Sequence, residues 1–463
     1  MKGDFTRDTF DPARHFSRVL MQQGRVQLDA DWNEQSSILL HYLQTLAADL
    51  IGPSAGPAAA LGFEIKPDGK VFSIGAGRYY VDGILCENES TCDFTAQPDY
   101  PYKDKAIDYK NYSTQSGNFA VVLDVWERHL TFLDDNLIRE VALGGPDTAT
   151  RAKLVWQVRL LPADSCDEIT KRLLEISSKL GKELMQARLK PEAIDPDPCI
   201  TSPDSLYRGA ENQLYRVEIH KSSIDLNGNS QPWSFKWSRE NGSIVASWLD
   251  TNEDGGLVVS SARGFEAGKW VELTSSSDEL TNQPGTFSRV SKVEGGALFL
   301  DPAPTWDKNT LQKIRQWDQS AVGDTVLKDG AVVGVEDQWF DLEDGIQVRF
   351  EPKHDYFSGD YWLIPARVAT GQIEWPQDAS GDPALLGPRG IRHHFAPLAM
   401  LAWDGRSLRE LDNGDCRCII PELRDCQRIG RADGGPKPSP APAPAPKPVV
   451  KSASTSTRKK PSG

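Results

Sequence analysis

No stretch of this chain approaches the ~20 consecutive apolar residues needed to cross a bilayer, so no helical membrane span is expected. The opening MKGDFTRDTFDPARHF sets charges where a secretory leader needs an apolar run, and synthesis and folding in the cytoplasm are expected. Cysteine is sparse, seven in 463 residues, and an odd count at wide spacing argues against a disulfide framework. Free thiols are the default, including the neighbours Cys86 and Cys92. No glycine-rich dinucleotide loop, phosphate-binding Gly-Lys-Ser/Thr loop, Gly-x-Ser-x-Gly elbow or His-Glu-x-x-His pair occurs, so no catalytic residue and no cofactor is expected. Carboxylate pairs such as Asp134-Asp135 and Glu343-Asp344 read as solvated surface in a chain with 66 acidic residues. Structural zinc needs Cys-x-x-Cys or Cys plus His at set spacings. The best local cluster, Cys416, Cys418 and Cys426 near His393 and His394, shows neither, so no metal is expected.

Charge is unevenly shared. Residues 431–463 hold seven of the 52 Lys and Arg residues and one of the 66 acidic ones, so the rest of the chain carries about −20. A body that acidic repels phosphate backbones, and nucleic acid is not expected as a partner.

What the chain does have is a mainly β pattern with a few helices, an α+β, multidomain design. Leu39, Leu43, Leu46 and Leu50 recur at helical steps, extended by Trp32 and ended by Gly52 and Pro53, which predicts an N-terminal amphipathic helix with one buried stripe. Short β-branched and aromatic runs follow, separated by turn clusters, as in antiparallel sandwich or barrel-like modules. A helical insertion is expected at about 167–190, where Ile169, Leu173, Ile176, Leu180 and Leu184 share a face before Pro191. The linear partition is then residues 1–60, hook and helix; 61–200, β-rich; 201–305, all-β; 306–430, a second β module; and 431–463, a Pro-rich basic tail. GLVVSSARGFEAGKWVEL from Gly256 and GIQVRFEPKHDYFSGDYWLI from Gly345 echo one another, as a duplicated barrel-like unit or as recurring hairpin chemistry.

Within QQGRVQLDADWNEQ, Gly24 permits a bend, Leu28 and Trp32 can bury, and Asp29, Asp31, Asn33 and Glu34 can satisfy free N–H groups at the helix start. This hook is pinned either to a partner or to the chain's own sheet. Gly24, Leu28, Trp32, Asn33 and Leu43, with Arg458, Lys459 and Lys460 in the tail, are the interface candidates. Among the 13 Trp, Trp237, Trp248, Trp270, Trp362, Trp375 and Trp403 fall in or beside predicted strands, as core or interface anchors or as a sugar-stacking platform.

The opening MKGDFTRDTFDPARHFSRVLMQQGRVQLDADWNEQ resembles the N-terminal signature of an uncharacterised bacterial family associated with extracellular, phage-tail-like contractile injection systems. AGRYYVDGILCEN from Ala76, REVALGGPDTATRAKLVWQVRLL from Arg139, GAENQLYRVEIH from Gly209 and GDYWLIPARVATGQIEWP from Gly359 are similar to the same family. The resemblance implies a non-enzymatic structural or adaptor component at the baseplate or periphery of such a particle. Its partners would be other particle subunits, its final location would be extracellular in a released particle, and no deep polar pocket is expected. The alternatives are a fibre-like module binding a glycan or cell-surface component, and a cargo effector. In the leading reading the polyproline spacer Ser439 to Val449 holds the cations Arg458, Lys459 and Lys460 towards a second, acidic surface.

No apolar periodicity ties residues 431–463 to the body. Truncation at Arg431 is expected to leave the thermal midpoint of the body nearly unchanged in calorimetry, and a large drop would refute this.

Overall fold

The computed structural model describes residues 1–102, 107–179, 181–191, 206–225, 229–304, 312–321 and 325–421. Strands take 39% of the chain and helices 16%, in several antiparallel sheets, so the fold is the expected multidomain, mainly β arrangement.

Four sheet systems matter for the site. The strand Asn118–Leu130 is central to a four-stranded sheet, with Arg151–Leu161 on one side and His394–Trp403, then Leu408–Asp415, on the other. Its alternating side chains are buried on both faces. Phe119, Val121, Leu123 and Val125 join the first core, while Ala120 and Val122 face helix α2, Cys166–Lys179. The second system is a six-stranded sheet in which Gln213–Lys221 lies between Ser234–Ser238 and Tyr361–Arg367. Against it packs the three-stranded sheet of Trp339–Asp341, Ile346–Phe350 and Met185–Leu189, enclosing an aromatic core that includes Trp233, Phe235, Phe350 and Tyr356. A closed six-stranded barrel follows, built from Val245–Thr251, Leu257–Val259, Trp270–Ser275, Thr286–Glu294, Ala297–Asp301 and Gln312–Trp317. Val271, Leu273, Val290, Leu298 and Ile314 fill it. A smaller sheet joins Ser54–Pro57, Gly77–Val81 and Ile84–Asn88 with Ile419–Ile420.

The sheets do not follow the linear partition. His394–Trp403 pairs with Asn118–Leu130, Met185–Leu189 with Ile346–Phe350, and Gln213–Lys221 with Tyr361–Arg367, so strands from both halves share sheets. The barrel also runs past residue 305 to close with Gln312–Trp317. Local pattern marks a strand but not its neighbour, and the neighbours here are distant in sequence. The two echoed segments diverge accordingly. Leu257–Val259 and Trp270–Ser275 are barrel strands that do not pair with each other, whereas Ile346–Phe350 and Tyr361–Arg367 belong to two different sheets, so the echo corresponds neither to a repeated unit nor to a shared hairpin.

The helical insertion is shorter than expected. Helix α2 ends at Lys179, and Met185–Leu189 is a strand with Met185 and Ala187 inward, because MQARL alternates with period two. Ile169 and Leu173 are buried against the four-stranded sheet, as an amphipathic surface helix requires. The expectation of free thiols is overturned at one pair. Cys166, at the start of α2, is bonded to Cys416 across a sequence separation of 250, with Cα atoms 5.5 Å apart. Return of His394–Trp403 to the first sheet brings the two together, a proximity that spacing alone conceals. Cys86, Cys92 and Cys418 are free, whereas Cys426 and the tail candidates Arg458, Lys459 and Lys460 lie outside the described residues.

The Cys166–Cys416 bond closes a long loop, so its loss should destabilise by about 2–4 kcal/mol. Cys416→Ala is expected to lower the urea midpoint of the body by a corresponding amount, and an unchanged midpoint would show that the bond carries no stability.

Candidate functional site

The signature block at the start of the chain forms a strap sewn to the body at successive points. The Met1 carbonyl accepts from Arg216 Nη1 at 3.1 Å and Asn241 Nδ2 at 3.2 Å, and Asn241 Nδ2 also donates to the Gly3 carbonyl at 2.9 Å. Asn241 holds this position with φ near 51°, a left-handed conformation that asparagine tolerates better than most residues. Further along, Thr6 N–H donates to Asp29 Oδ2 at 3.0 Å, Arg7 pairs with Glu374 at 3.1 Å, and Asp8 pairs with Arg389. Thr9 Oγ1 reaches Glu34 at 2.6 Å, and Val19 N–H reaches Gln35 Oε1 at 2.8 Å. Asp29 and Glu34 therefore bind the strap, while the N-cap residue Leu28 makes no side-chain capping bond. These bonds hold residues 1–19 to the body and to the start of the helix, whereas Gly24, Leu28, Trp32 and Asn33 of the hook stay exposed.

Helix α1, Asp29–Ile51, reverses the expectation of a buried stripe. Trp32 is 62% exposed, Leu43 64% and Leu50 77%, with Leu39 and Leu46 also exposed. At about 100° per residue these five side chains fall within roughly 40° of one line. Ala30 and Ile38 are the buried residues of the helix, Ala30 opposite the stripe and Ile38 on its flank. The Ala30 side meets the hairpin turn at Gly83, whose φ is +78° and where a Cβ would collide with the Gln44 carbonyl. The helix thus docks by its small face, because close backbone approach at Gly83 needs no large side chains, and turns its leucines outward. Leu28 and Asn33 are exposed as well, and Gly24 sits in an open turn with φ +71°. Phe16, Leu20, Met21 and Val26 extend the apolar surface along the strap.

A second feature is a cleft of about 430 Å³ reached by the strap, the barrel, the six-stranded sheet and the end of Asn118–Leu130. Its lining is richer in charged side chains than the expectation of no deep polar pocket implies. The back of the six-stranded sheet supplies Arg216, Glu218 and Lys236, and the outer wall of the barrel supplies Glu272, Lys313 and Arg315. Glu218 is bound by Arg216 at 2.6 Å, Lys2 at 2.9 Å and Lys236 at 3.2 Å. Glu272 accepts from Lys236 at 2.6 Å and from Trp317 Nε1 at 2.9 Å. Lys313 joins Glu279 at 2.7 Å and Asp134 at 2.6 Å, and Arg128 joins Glu279 at 2.6 Å. Asp134 is consequently an ion-paired, buried group and not the solvated surface expected of it, and Glu343 likewise pairs with Arg239 at 2.7 Å.

Burial alone would raise the Glu218 and Glu272 carboxyls, but the adjoining cations outweigh it and hold both well below the usual carboxylate range. Glu279 is held at about 2 in the same way, by Lys313 and Arg128 against burial. Such carboxylates are weak bases near neutrality. Burial, reinforced by nearby cations, pushes the His129 imidazole down to about 3, so the ring is neutral. Burial also brings Lys2 down to about 8, with Lys236, Arg216 and Arg315 adding like-charge repulsion.

The signal for the cleft was present in the strands. QLYRVEIHK, SFKWS, WVELTS and QKIRQW each place a charge at alternate positions among apolar neighbours. Tyr215, Val217 and Ile219 face the aromatic core, so Arg216 and Glu218 must face the other way into a second covered surface. Among the described residues no group of three metal-ligating side chains is found, and Cys416 is committed to its disulfide. The six strand-associated Trp are buried or half-buried, which provides no exposed stacking platform from them.

A third cluster lies behind the aromatic core. Glu183 is buried with neither carboxyl oxygen bonded to a conventional donor, and it faces Asp360. Burial and the Glu183 charge push Asp360 up to about 8, the arrangement of two carboxyls sharing one proton.

Compared with known proteins, residues 1–180, 163–261 and 300–462 match the model of a family described as of unknown function. No curated protein and no solved structure matches the chain.

Two outcomes follow from this geometry. Gly83→Ala, strained by both its φ and the Gln44 carbonyl, should loosen α1 and raise amide hydrogen exchange along Asp29–Ile51; unchanged protection would mean that the helix is not mounted on this turn. Because the folded pKa of Asp360 is raised, the folded chain retains a proton that the unfolded chain releases as pH climbs from about 4 to about 8, so stability falls through that window. Asp360→Asn should flatten this decline in urea midpoints measured at several pH values, and an equally steep decline in the variant would reject the shared proton.

Proposed function

The chain belongs to DUF6519, a family of unknown function, and we propose that it is a non-enzymatic structural or adaptor subunit that docks on a larger assembly through α1. The observation that carries the reading is the outward line of Trp32, Leu39, Leu43, Leu46 and Leu50. Contiguous exposed apolar surface of this kind is characteristic of interaction sites, protein–protein contacts among them. The strap supports it further: its bonds to Asp29, Glu34 and Gln35 fix the base of the helix, so the stripe is offered on a firm mount. A groove receiving an amphipathic helix reads the spacing of such anchors directly.

The finer proposal is that the assembly is a phage-tail-like contractile injection particle. Its support is the resemblance of the opening signature and the later sequence blocks. The Cys166–Cys416 bond suits a protein that ends in an oxidising exterior, as part of a released particle would. The glycan-binding alternative gains little, since the strand-associated Trp are buried or half-buried. The non-enzymatic reading draws on the cleft carboxylates, each neutralised by cations and poorly suited to act as a general base.

Leu43→Ser with Leu46→Ser tests the reading. Both positions are exposed, so the double variant should fold with a stability change within about 1 kcal/mol, where burial of Leu43 would have implied about 2–5 kcal/mol for its loss to Ala. The variant should fail to copurify with particles from producing cells. Equal incorporation of variant and native chains would overturn the docking role.

A further inference from the structure

The charges of the cleft are not balanced. Its inner layer contains six cationic side chains, Lys2, Arg128, Arg216, Lys236, Lys313 and Arg315. Four carboxylates answer them, those of Glu218, Glu272, Glu279 and Asp134. At the rim, exposed Glu127 and Arg392 are opposite in sign, and Asp278 is occupied in the capping box that begins helix α3, Ser276–Thr281. In a body carrying about −20, an interior pocket with surplus positive charge is the reverse of the surface trend.

The surplus is localised. Arg315 is only 8% exposed and makes no ion pair among the described residues; its Nη1 donates to the Gly242 carbonyl. Lys2 runs beside it, since a Cβ built on Gly242 would touch Arg315 Cδ at 3.3 Å and Lys2 Cβ at 3.8 Å. Lys2 has Glu218 as its carboxylate partner, but that group also serves Arg216 and Lys236. Across the cleft His129 Nε2 is buried without a hydrogen-bond partner. Glu279, Glu218 and Glu272 act on Arg315 only through space, each already paired with other cations; a buried guanidinium with no direct ion pair is costly, and its planar fork matches an oxyanion. The remaining walls are less polar: Leu40, Ile84, Trp126 and Ile391 line the cleft, and Tyr361 lies under the Arg216 guanidinium at 3.5 Å. A volume near 430 Å³ exceeds what a bare inorganic ion fills and lies in the range of small-molecule pockets.

We infer that the cleft is a binding site for a small organic oxyanion, whose phosphate or carboxylate head is received by Arg315 and Lys2 while its body rests on the Trp126 and Tyr361 side. The head supplies the direct ion pair that Arg315 lacks among the described residues. His129 Nε2, if its ring carries the proton there, donates to the same head; the ring is then a reporter at the site.

The test uses the full chain and three probes, inorganic phosphate, phenyl phosphate and benzoate, titrated at constant ionic strength with chloride as the balancing ion. Calorimetry and the ring resonances of His129, assigned against His129→Asn, are the readouts. Expected are saturable binding of at least one organic probe, tighter than inorganic phosphate, and a matching movement of the His129 signals. Arg315→Gln should weaken binding by about tenfold or more, and Lys2→Gln should weaken it less. If Arg315→Gln does not fold, the native titration and Lys2→Gln decide the matter. No movement of His129 with any probe, the same movement with chloride alone, or unaltered affinity in a folded Arg315→Gln chain would overturn the assignment.

Discussion

Two covered surfaces carry charge where most β proteins carry hydrocarbon: the back of the six-stranded sheet and the outer wall of the barrel. Each strand involved has its apolar alternates committed elsewhere, Val217 and Ile219 to the aromatic core, Val271, Leu273 and Ile314 to the barrel interior. The remaining alternates are Arg216, Glu218, Lys236, Glu272, Lys313 and Arg315. Removing such groups from water is expensive unless each finds an opposite charge in good geometry, so the seating of the barrel against the sheet is constrained by ion pairs as well as by apolar contact. Lys236 shows the constraint most directly, bridging Glu218 on its own sheet and Glu272 on the barrel. Ion pairs of this sort define a register sharply because a small displacement leaves a bare charge.

The strap depends on the same layer. Lys2 contributes to the neutralisation of Glu218, and the carbonyls of Met1 and Gly3 take donors from Arg216 and Asn241 that would otherwise need water. From that fixed start the strap continues to α1, so the mounting of an exposed helix draws on a buried charge layer as well as on the turn at Gly83. The outward leucines and the inward charges are two ends of one continuous piece of chain.

Much of the secondary structure was legible from residue pattern. Period-two runs located most strands, and Leu39 to Leu50 located α1, because both signals are local. The direction of the α1 stripe was not legible. A line of leucines looks alike whether it meets the chain's own core or another protein, and the deciding residue, Gly83, lies on a hairpin far from the helix in sequence. The cleft was readable in principle from charges at alternating strand positions, but the reading requires knowing that both sheet faces are covered. The bond between Cys166 and Cys416 was hidden by sequence distance, since it depends on the strand His394–Trp403 returning to the first sheet.

That return has a temporal consequence. During synthesis Asn118–Leu130 emerges long before His394–Trp403, and until the latter arrives one side of the strand presents free backbone N–H and C=O groups beside apolar side chains. Contacts of such sequence separation form slowly, and an unpaired apolar edge is a template for association with other chains. The nascent protein therefore passes through a long interval in which its first sheet is open, and cellular holdases that shield such edges would have their greatest effect on yield during that interval.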